Sequence, residues 1–167
     1  VAVNAGTLDL NGHAIANAIT VSGTLLNDSA TAVTLASGRV AIGAGAKLGG
    51  AGDLPLAALA TPSSTGTLAK PGAGTLTLSG ANTYSGNTAI SAGTLCLAAS
   101  NALPSGTPLT LATGATLDLN NHTASVGKLD GAGNIVLGSA NLTVAQSSNS
   151  AFTGGISGTG GLTKSGS

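Results

Sequence analysis

Apolar residues alternate with polar or small residues in short runs along this chain. Pairs of large aliphatic residues separated by one position recur at Leu8/Leu10, Leu76/Leu78, Leu95/Leu97, Leu109/Leu111, Leu117/Leu119 and Leu142/Val144. A period of two is typical of β-strands that bury one face. The residues between these pairs are expected to face outward, and they are Asp9, Thr77, Cys96, Thr110, Asp118 and Thr143. Because no segment has the spacing of an amphipathic helix, the pattern predicts an all-β fold.

The same segments recur in diverged copies, which predicts a repeat architecture. Two clean correspondences relate residues 6–13 to 115–122 and residues 68–73 to 162–167. The turn around Tyr84 likewise resembles the turn around Phe152. Because the offsets between copies are unequal, we expect one solenoid over residues 1–167, with about seven coils of variable length. Asn11 and Asn120 are expected to lie inward in turns, where they would satisfy backbone amides.

The composition permits a packed core but offers little surface chemistry. Hydrophobic residues make up 42% of the chain and mean hydropathy is +0.41, which argues against disorder. Charged residues make up only 6%, with five basic residues balancing five Asp and no Glu. Electrostatic capture of nucleic acid or anionic lipid is therefore not expected. No apolar run approaches the roughly 18 residues of a membrane-spanning helix, and the first residues lack a signal-peptide pattern.

Two Asp–His pairs are candidates for catalytic or metal-binding side chains. Asp9 with His13 and Asp118 with His122 occupy corresponding segments. An Asp can orient a histidine base or share a metal ion with it. However, active sites are rarely duplicated along a rod, so the recurrence favours a turn or a surface ladder. We therefore predict no catalytic, cofactor-binding or metal-binding residues.

Other patterns fall short of known sites. Residues 49–54 approach the Gly-Asp calcium nonapeptide but are one residue short, and residues 43–47 lack the Gly-Lys-Ser/Thr ending of a P-loop. A Gly-x-Ser-x-Gly elbow is missing as well. Five scattered Asp residues and a single arginine, Arg39, leave a polysaccharide-active enzyme as a distant alternative.

The outward positions raise two further questions of chemistry. Cys96 is the single cysteine, so it is expected to be a free thiol or to pair with another chain. Thr75 and Thr77 form a Thr-x-Thr pair of the type that ice-binding β-helices stack. The corresponding positions hold Thr94 with Cys96, Thr116 with Asp118 and Thr7 with Asp9. The array is broken, which makes ice binding a remote hypothesis.

Residues 74–95, GTLTLSGANTYSGNTAISAGTL, closely resemble the passenger-associated transport repeat of bacterial autotransporters. A second, truncated copy begins near Phe152, and the resemblance is specific over about residues 66–97 and 149–167. It implies a right-handed parallel β-helix on the outside of a Gram-negative cell, exported through a C-terminal outer-membrane β-barrel. That barrel is the partner the resemblance implies, and it is not among these residues. The chain is interpreted as a piece of a longer passenger.

The resulting functional hypothesis is a non-catalytic stalk that displays distal parts of an extracellular passenger. The alternative is an adhesin module whose own loops bind a host or bacterial surface ligand. Two segments interrupt the regular pattern, residues 54–64 and 98–107, at or beside which lie Pro55, Pro62, Pro104 and Pro108. Loops carry recognition more often than regular coils do, so these segments are the candidate binding loops.

Overall fold

The computed structural model describes residues 2–33, 35, 40–56, 59–60 and 66–166, and over these residues every regular element is a short β-strand. The strands are β1 (Ala2–Val3), β2 (Thr7–Asp9), β3 (Ile19–Val21), β4 (Thr24–Leu26), β5 (Val40–Ile42), β6 (Ala46–Gly49), β7 (Leu54–Leu56), β8 (Leu59–Ala60), β9 (Leu68–Lys70), β10 (Thr75–Leu78), β11 (Thr88–Ile90), β12 (Thr94–Leu97), β13 (Pro108–Leu111), β14 (Thr116–Asp118), β15 (Ala124–Val126), β16 (Lys128–Gly131), β17 (Asn134–Val136), β18 (Leu142–Ala145), β19 (Ile156–Ser157) and β20 (Leu162–Ser165). The described chain contains no helix that could cross a membrane.

The strands stack into parallel sheets that the chain visits in turn. Sheet I has the order β16-β13-β11-β9-β6-β4-β2 and sheet II the order β19-β17-β14-β12-β10-β7. The third face is divided into sheet IIIa, β1-β3-β5-β8, and sheet IIIb, β15-β18-β20, which take the same place in the winding order. The prediction of an all-β parallel solenoid is therefore confirmed.

The number of coils is about eight, one more than the sequence predicts. Seven strands of sheet I and a parallel bridge from Gly131 to Phe152 mark eight passages through this face. The predicted number of coils was too low because some coils contain fewer residues than the prediction assumed. At the corner where Asn121 bonds to Ser139, the offset between stacked residues falls to 18. At about 4.8 Å per coil, eight coils give a rod of about 38 Å.

Aliphatic ladders form the core, as the period-two pattern predicts. In sheet II the register stacks Leu54, Leu76, Leu95, Leu117 and Ile135, each with 0% of its surface exposed. The other paired positions are also buried except Leu8, which is partly exposed in the first coil. Each fully buried leucine contributes about 1.5–3 kcal/mol. Of the intervening residues, Asp9 and Thr110 are exposed, and Thr77, Cys96, Asp118 and Thr143 are half-buried on the outer face.

The third face lacks strands between β8 and β15 within the described residues, and single side chains close the core there. Tyr84 is 1% exposed, and Ala102 and Leu103 fill the equivalent place one coil later. The Tyr84 hydroxyl lies 2.8 Å from Thr88 Oγ1. Asn82 is also buried and donates a hydrogen bond from Nδ2 to the Ala102 carbonyl. This face is held by side-chain packing where the backbone ladder is interrupted.

The internal copies occupy different faces of the solenoid. The copy that contains β2 lies in sheet I, whereas its counterpart with β14 lies in sheet II. Similarly, β9 lies in sheet I and β20 in sheet IIIb. The repeated unit is thus a strand with its following turn, which can serve any corner of the coil. As a consequence, Thr7 and Asp9 do not belong to the outer ladders of sheet II.

The prediction that Asn11 and Asn120 lie inward is wrong. Both have φ of 45° and occupy exposed left-handed turn positions, which asparagine tolerates well. The inward places beside them are taken by the preceding leucines, Leu10 and Leu119, which are buried. The asparagine that does lie inside a corner is Asn27, with 0% exposure.

The proposed loop at residues 54–64 is wrong at its start. Pro55 is the centre of β7, and Leu56 accepts a hydrogen bond from the Ser79 amide of the next coil. Because backbone groups alternate in direction along a strand, those of Pro55 point away from β10, and since β7 is the last strand of sheet II a missing N–H is tolerated there. Leu59–Ala60 forms β8, whereas residues 57–58 and 61–65, with Pro62, lie outside the described residues.

Candidate functional site

The first Asp–His pair is a turn. Asp9 Oδ1 accepts hydrogen bonds from the Asn11 amide at 3.0 Å and from the Asp28 amide of the next coil at 3.1 Å. His13 Nδ1 lies 3.2 Å from the Leu10 carbonyl and 3.1 Å from the Asn11 carbonyl. The recorded polar contacts of both side chains are with the backbone, so the carboxylate caps the turn instead of orienting the imidazole.

The second pair repeats this arrangement. Asp118 Oδ1 accepts from the Asn120 amide at 2.8 Å, and the His122 amide donates to the Leu119 carbonyl at 2.7 Å. Across the described residues, no group of three or more His, Cys, Asp or Glu side chains is placed to hold a metal ion. The geometry supports the prediction that the recurring pair is a turn signature.

The remaining carboxylates bind backbone amides of the following coil. Asp28 Oδ1 accepts from the Ala51 amide at 2.9 Å, Asp53 Oδ1 from Thr75 at 2.8 Å, and Asp130 Oδ1 from Ala151 at 3.1 Å. Together with Asp9 and Asp118, these account for every acidic side chain of the chain. Each carboxylate therefore has a hydrogen-bonding role within the coil stack.

Asp130 is also paired on the outer face of sheet I. Its Oδ2 lies 2.8 Å from Lys128 Nζ, and the two side chains are about one-third exposed. The hydrogen bond from Lys128 lowers the pKa of Asp130 below its usual value, and the Ala151 amide acts in the same direction. This ion pair lies at the surface in contact with water and therefore contributes little to stability.

Asn27 is a buried polar side chain that bridges three coils. Its Oδ1 accepts from the Gly12 amide at 3.0 Å, and its Nδ2 donates to the Thr31 carbonyl at 2.9 Å and the Asp53 carbonyl at 3.0 Å. These bonds satisfy turn groups of the preceding coil, its own coil and the following coil. This role could not be predicted from the sequence, because nothing in the local pattern distinguishes Asn27 from an asparagine in an exposed turn.

Replacing Asn27 with leucine is expected to destabilise the fold by about 3 kcal/mol, because three turn groups lose their partner and each unpaired buried group costs about 1–3 kcal/mol. Urea unfolding followed by far-ultraviolet circular dichroism measures the change. The matched control is Asn11→Gly at an exposed position with φ of 45°, where we expect a change within about 0.5 kcal/mol. Equal stabilities of the two variants would contradict the bridging role.

Lys70 is the second buried polar side chain within a corner, with 0% exposure. It ends β9 at an inward position, where it pairs with Ile90 of the next coil. Nζ donates to the carbonyls of Pro71 at 3.2 Å, Gly72 at 2.8 Å and Ala92 at 3.0 Å. The alternation of Leu68, Ala69 and Lys70 was a usable signal, because a period of two places Lys70 on the same face as Leu68.

The pH dependence of stability is expected to report on Lys70. Burial lowers its pKa from 10.5 to about 8, while the Asp53 carboxylate acts in the opposite direction. Above pH 8 the folded chain releases a proton that the unfolded chain keeps up to pH 10.5. The free energy of unfolding should therefore rise with pH above 8, and this stability is lost again as the pH falls through 8.

Urea unfolding between about pH 7 and pH 9.5 tests this expectation, since that range lies below the ordinary titration of tyrosine near 10. The matched control is Lys70→Met, which keeps the length of the side chain and removes the titrating group. Both proteins carry Cys96→Ser, because the raised pKa of the Cys96 thiol would make stability fall with pH within the same range. The rise should be present in the protein that keeps Lys70 and missing in the Lys70→Met variant. Parallel pH profiles for the two proteins would contradict it.

Cys96 lies on the outer face of sheet II between Thr77 and Asp118. It is a free, half-buried thiol. Partial burial raises the pKa of the thiol, and the neighbouring Asp118 carboxylate raises it further. Cys96 is therefore a thiol of low reactivity, because the thiolate is the reactive form.

The outer ladders of sheet II are mixed in character. One ladder stacks Thr75, Thr94 and Thr116, whereas the next stacks Thr77, Cys96 and Asp118. A regular two-row threonine array is therefore interrupted after its first coil, as the sequence predicts. The face lacks the repetition that ice binding would need.

A groove lies near the last described coil. Its apolar lining comes from Leu129, Val144, Phe152 and Leu162. Leu162 is 49% exposed and Ile156 of the adjacent strand is 38% exposed. Gln146, Ser150 and Lys164 also line the groove, and this set lacks the paired carboxylates of a glycosidase.

Comparison with known proteins agrees with this architecture. The family described as "Passenger-associated-transport-repeat" matches residues 68–96, which span β9 to the middle of β12. A curated relative, "Adhesin BmaC autotransporter" of Brucella suis biovar 1 (strain 1330), is 42% identical over 109 residues. The match covers 61% of this chain and 3% of that protein, so the chain corresponds to a small part of its length. No solved structure matches the chain.

The residues that match the repeat family include the aliphatic ladders of β10 and β12, the buried Lys70 and the buried Tyr84. The chain carries a passenger-associated-transport-repeat and is similar to an autotransporter adhesin.

Proposed function

We propose that this chain is a non-catalytic rod segment of an autotransporter passenger, which holds other parts of the passenger away from the cell. The observation that carries the proposal is the use of all five carboxylates. Each of them accepts a hydrogen bond from at least one backbone amide, and the donors to Asp9 and Asp118 are backbone amides and not the histidine of the pair. These hydrogen bonds give every acidic side chain a place in a turn or in a contact between coils, which supports a structural role for them.

The similarity to an autotransporter adhesin supports a proposed location and a proposed partner. The segment would lie outside a bacterial cell, in a passenger attached to or released from an outer-membrane translocator at the C-terminal end of the parent protein. A solenoid suits this role because each coil contacts only its neighbours, so coils add length without changing the cross-section. Eight coils contribute about 38 Å of reach.

A second candidate is a binding module built on the segment at residues 98–107. Ser100, Asn101 and Ser105 are exposed there, and Asn101 has φ of 57°, which forms a projecting turn. The same segment buries Ala102 and Leu103 in the core. Replacing the whole segment would therefore damage the stack, and only its exposed residues can be varied safely.

The proposal is tested with the purified chain applied to host cells, bacterial cells and a panel of polysaccharides. A rod segment is expected to bind none of these surfaces above background and to turn over none of the polysaccharides. Binding that is lost in the double variant Ser100→Arg/Asn101→Arg, with an unchanged circular dichroism spectrum, would establish the binding module instead. Turnover of any polysaccharide would overturn the non-catalytic assignment.

A further inference from the structure

The corner after β9 gathers three carbonyl oxygens around one nitrogen. Pro71 and Gly72 belong to the turn that follows Lys70, whereas Ala92 lies 22 residues further along, in the next coil. A primary ammonium group has three N–H donors, and Lys70 Nζ has three recorded carbonyl acceptors at 2.8–3.2 Å. The number of donors and the number of acceptors match.

We propose that this corner is a binding site for a primary amino group, filled here by Lys70, which clamps one coil to the next. A neutral amine keeps two N–H donors, so the clamp remains when the group loses a proton. The carbonyls of Pro71 and Gly72 provide the half of the site that is local in sequence. The carbonyl of Ala92 completes the site only after the following coil has stacked. The clamp therefore forms between coils and cannot form within one coil alone.

The second copy of the repeat supports the division of the site into a local half and a half from the next coil. Lys164 corresponds to Lys70 in sequence, and its Nζ donates to Gly166 at 2.6 Å, two residues ahead, as Lys70 donates to Gly72. Lys164 is exposed, and its recorded bond lies within its own turn. The local half of the site is thus a property of the Lys-x-Gly turn and recurs at an exposed lysine.

The aliphatic stem of Lys70 has a separate role from its ammonium group. It occupies the ladder position next to Ile90, so it fills core volume, while the nitrogen reaches past the core to the turn. A substitution that keeps the stem separates these roles. In Lys70→Met the core stays filled, and the three carbonyls lose their donor. In Lys70→Ala the stem and the donor are both removed, which leaves space for a small amine.

The test measures rescue by added amines. Lys70→Ala is expected to have a lower melting temperature than the original chain, and ethylammonium or propylammonium should raise it selectively. Tetramethylammonium is the matched control, since it carries the same charge without N–H donors. The same salts should have equal, small effects on the original chain and on Lys164→Ala, whose lysine is exposed. If Lys70→Ala does not fold in buffer, the fraction refolded in each salt is measured in its place.

A rise that is equal for all salts, or equal for all three proteins, would overturn the site. Hydrogen exchange of Lys70→Met provides the second measurement. Loss of the clamp should increase exchange by about tenfold or more at the Ser91 and Thr94 amides, which bond back to Lys70 and Gly74 of the previous coil. The Gly127 amide bonds to Thr107, and both residues lie in coils remote from Lys70, so the exchange rate of this amide should be unchanged. Unchanged exchange at both Ser91 and Thr94 would show that the ammonium group does not hold the coils together.

Discussion

Replacing Leu95 with aspartate is expected to unfold the central coils. Leu95 has 0% exposure and stacks between Leu76 and Leu117 in sheet II. The new carboxylate would lie in an aliphatic ladder with no donor or cation, and burial of an unpaired charge is among the few changes that cost more than about 4 kcal/mol. Since small domains have about 5–15 kcal/mol of total stability, the variant should have little folded population left.

The matched control is Thr94→Asp, one residue earlier in the same strand. Thr94 is half-buried on the outer face between Thr75 and Thr116, so its carboxylate would keep contact with water, and we expect a loss of less than about 1 kcal/mol. Leu95→Ala adds an intermediate case, with an expected loss of about 2–5 kcal/mol. Urea unfolding monitored by circular dichroism ranks the three variants. A Leu95→Asp variant as stable as Thr94→Asp would refute the inward orientation of this ladder.

The period-two pattern was sufficient to predict the fold class and the inner residues of the strands. Leu76, Leu95 and Leu117 are large, regularly spaced and flanked by glycine-rich turns, so the local pattern and the stacked structure agree. In a solenoid each coil packs only on its neighbours, and long-range topology adds little that the local pattern does not contain. The sequence therefore predicts more of this fold than it would for a globular domain.

The face on which each copy lies could not be predicted from the correspondences. The segments around Asp9 and Asp118 have nearly the same sequence, but they precede different corners of the coil. The same strand and turn fit more than one face of the coil, and the face on which a copy lies depends on the number of residues in all preceding coils. The local sequence does not contain this number. The correspondence between copies therefore predicts the repeated strand and turn, but not the face of the solenoid on which each copy lies.

The polar interior was the other part that the sequence did not predict. Asn11 was expected inside because asparagine commonly satisfies turn amides, but a left-handed turn carries it outward, and Asn27 has the inner role. Which carbonyls surround Lys70 depends on the register between coils, since Ala92 belongs to the next one. Hydrogen bonds between coils depend on how the coils stack, so the sequence of a single turn does not indicate them.

Replacing Tyr84 with alanine is expected to destabilise the chain by about 3–5 kcal/mol, the range for loss of a buried aromatic side chain. Tyr84 is 1% exposed and lies on the third face, between β10 and β11, where no strand of the described chain closes the core. Because no hydrogen-bonded strand of the described chain lies at this place, no strand can shift to fill the cavity that the substitution leaves. The loss should therefore reach the upper part of that range, measured by urea unfolding.

Two further variants separate packing from hydrogen bonding at this position. Tyr84→Phe keeps the ring but leaves the Thr88 hydroxyl, which is 1% exposed, without the partner that lies 2.8 Å away, so we expect a loss of about 1–2 kcal/mol. Combining Tyr84→Phe with Thr88→Val removes both hydroxyls, and the double variant should be no less stable than Tyr84→Phe alone. A loss in Tyr84→Phe as large as that in Tyr84→Ala would mean that the hydrogen bond, and not the ring, closes this face. A loss below about 1 kcal/mol in Tyr84→Ala would mean that the third face does not depend on Tyr84 at all.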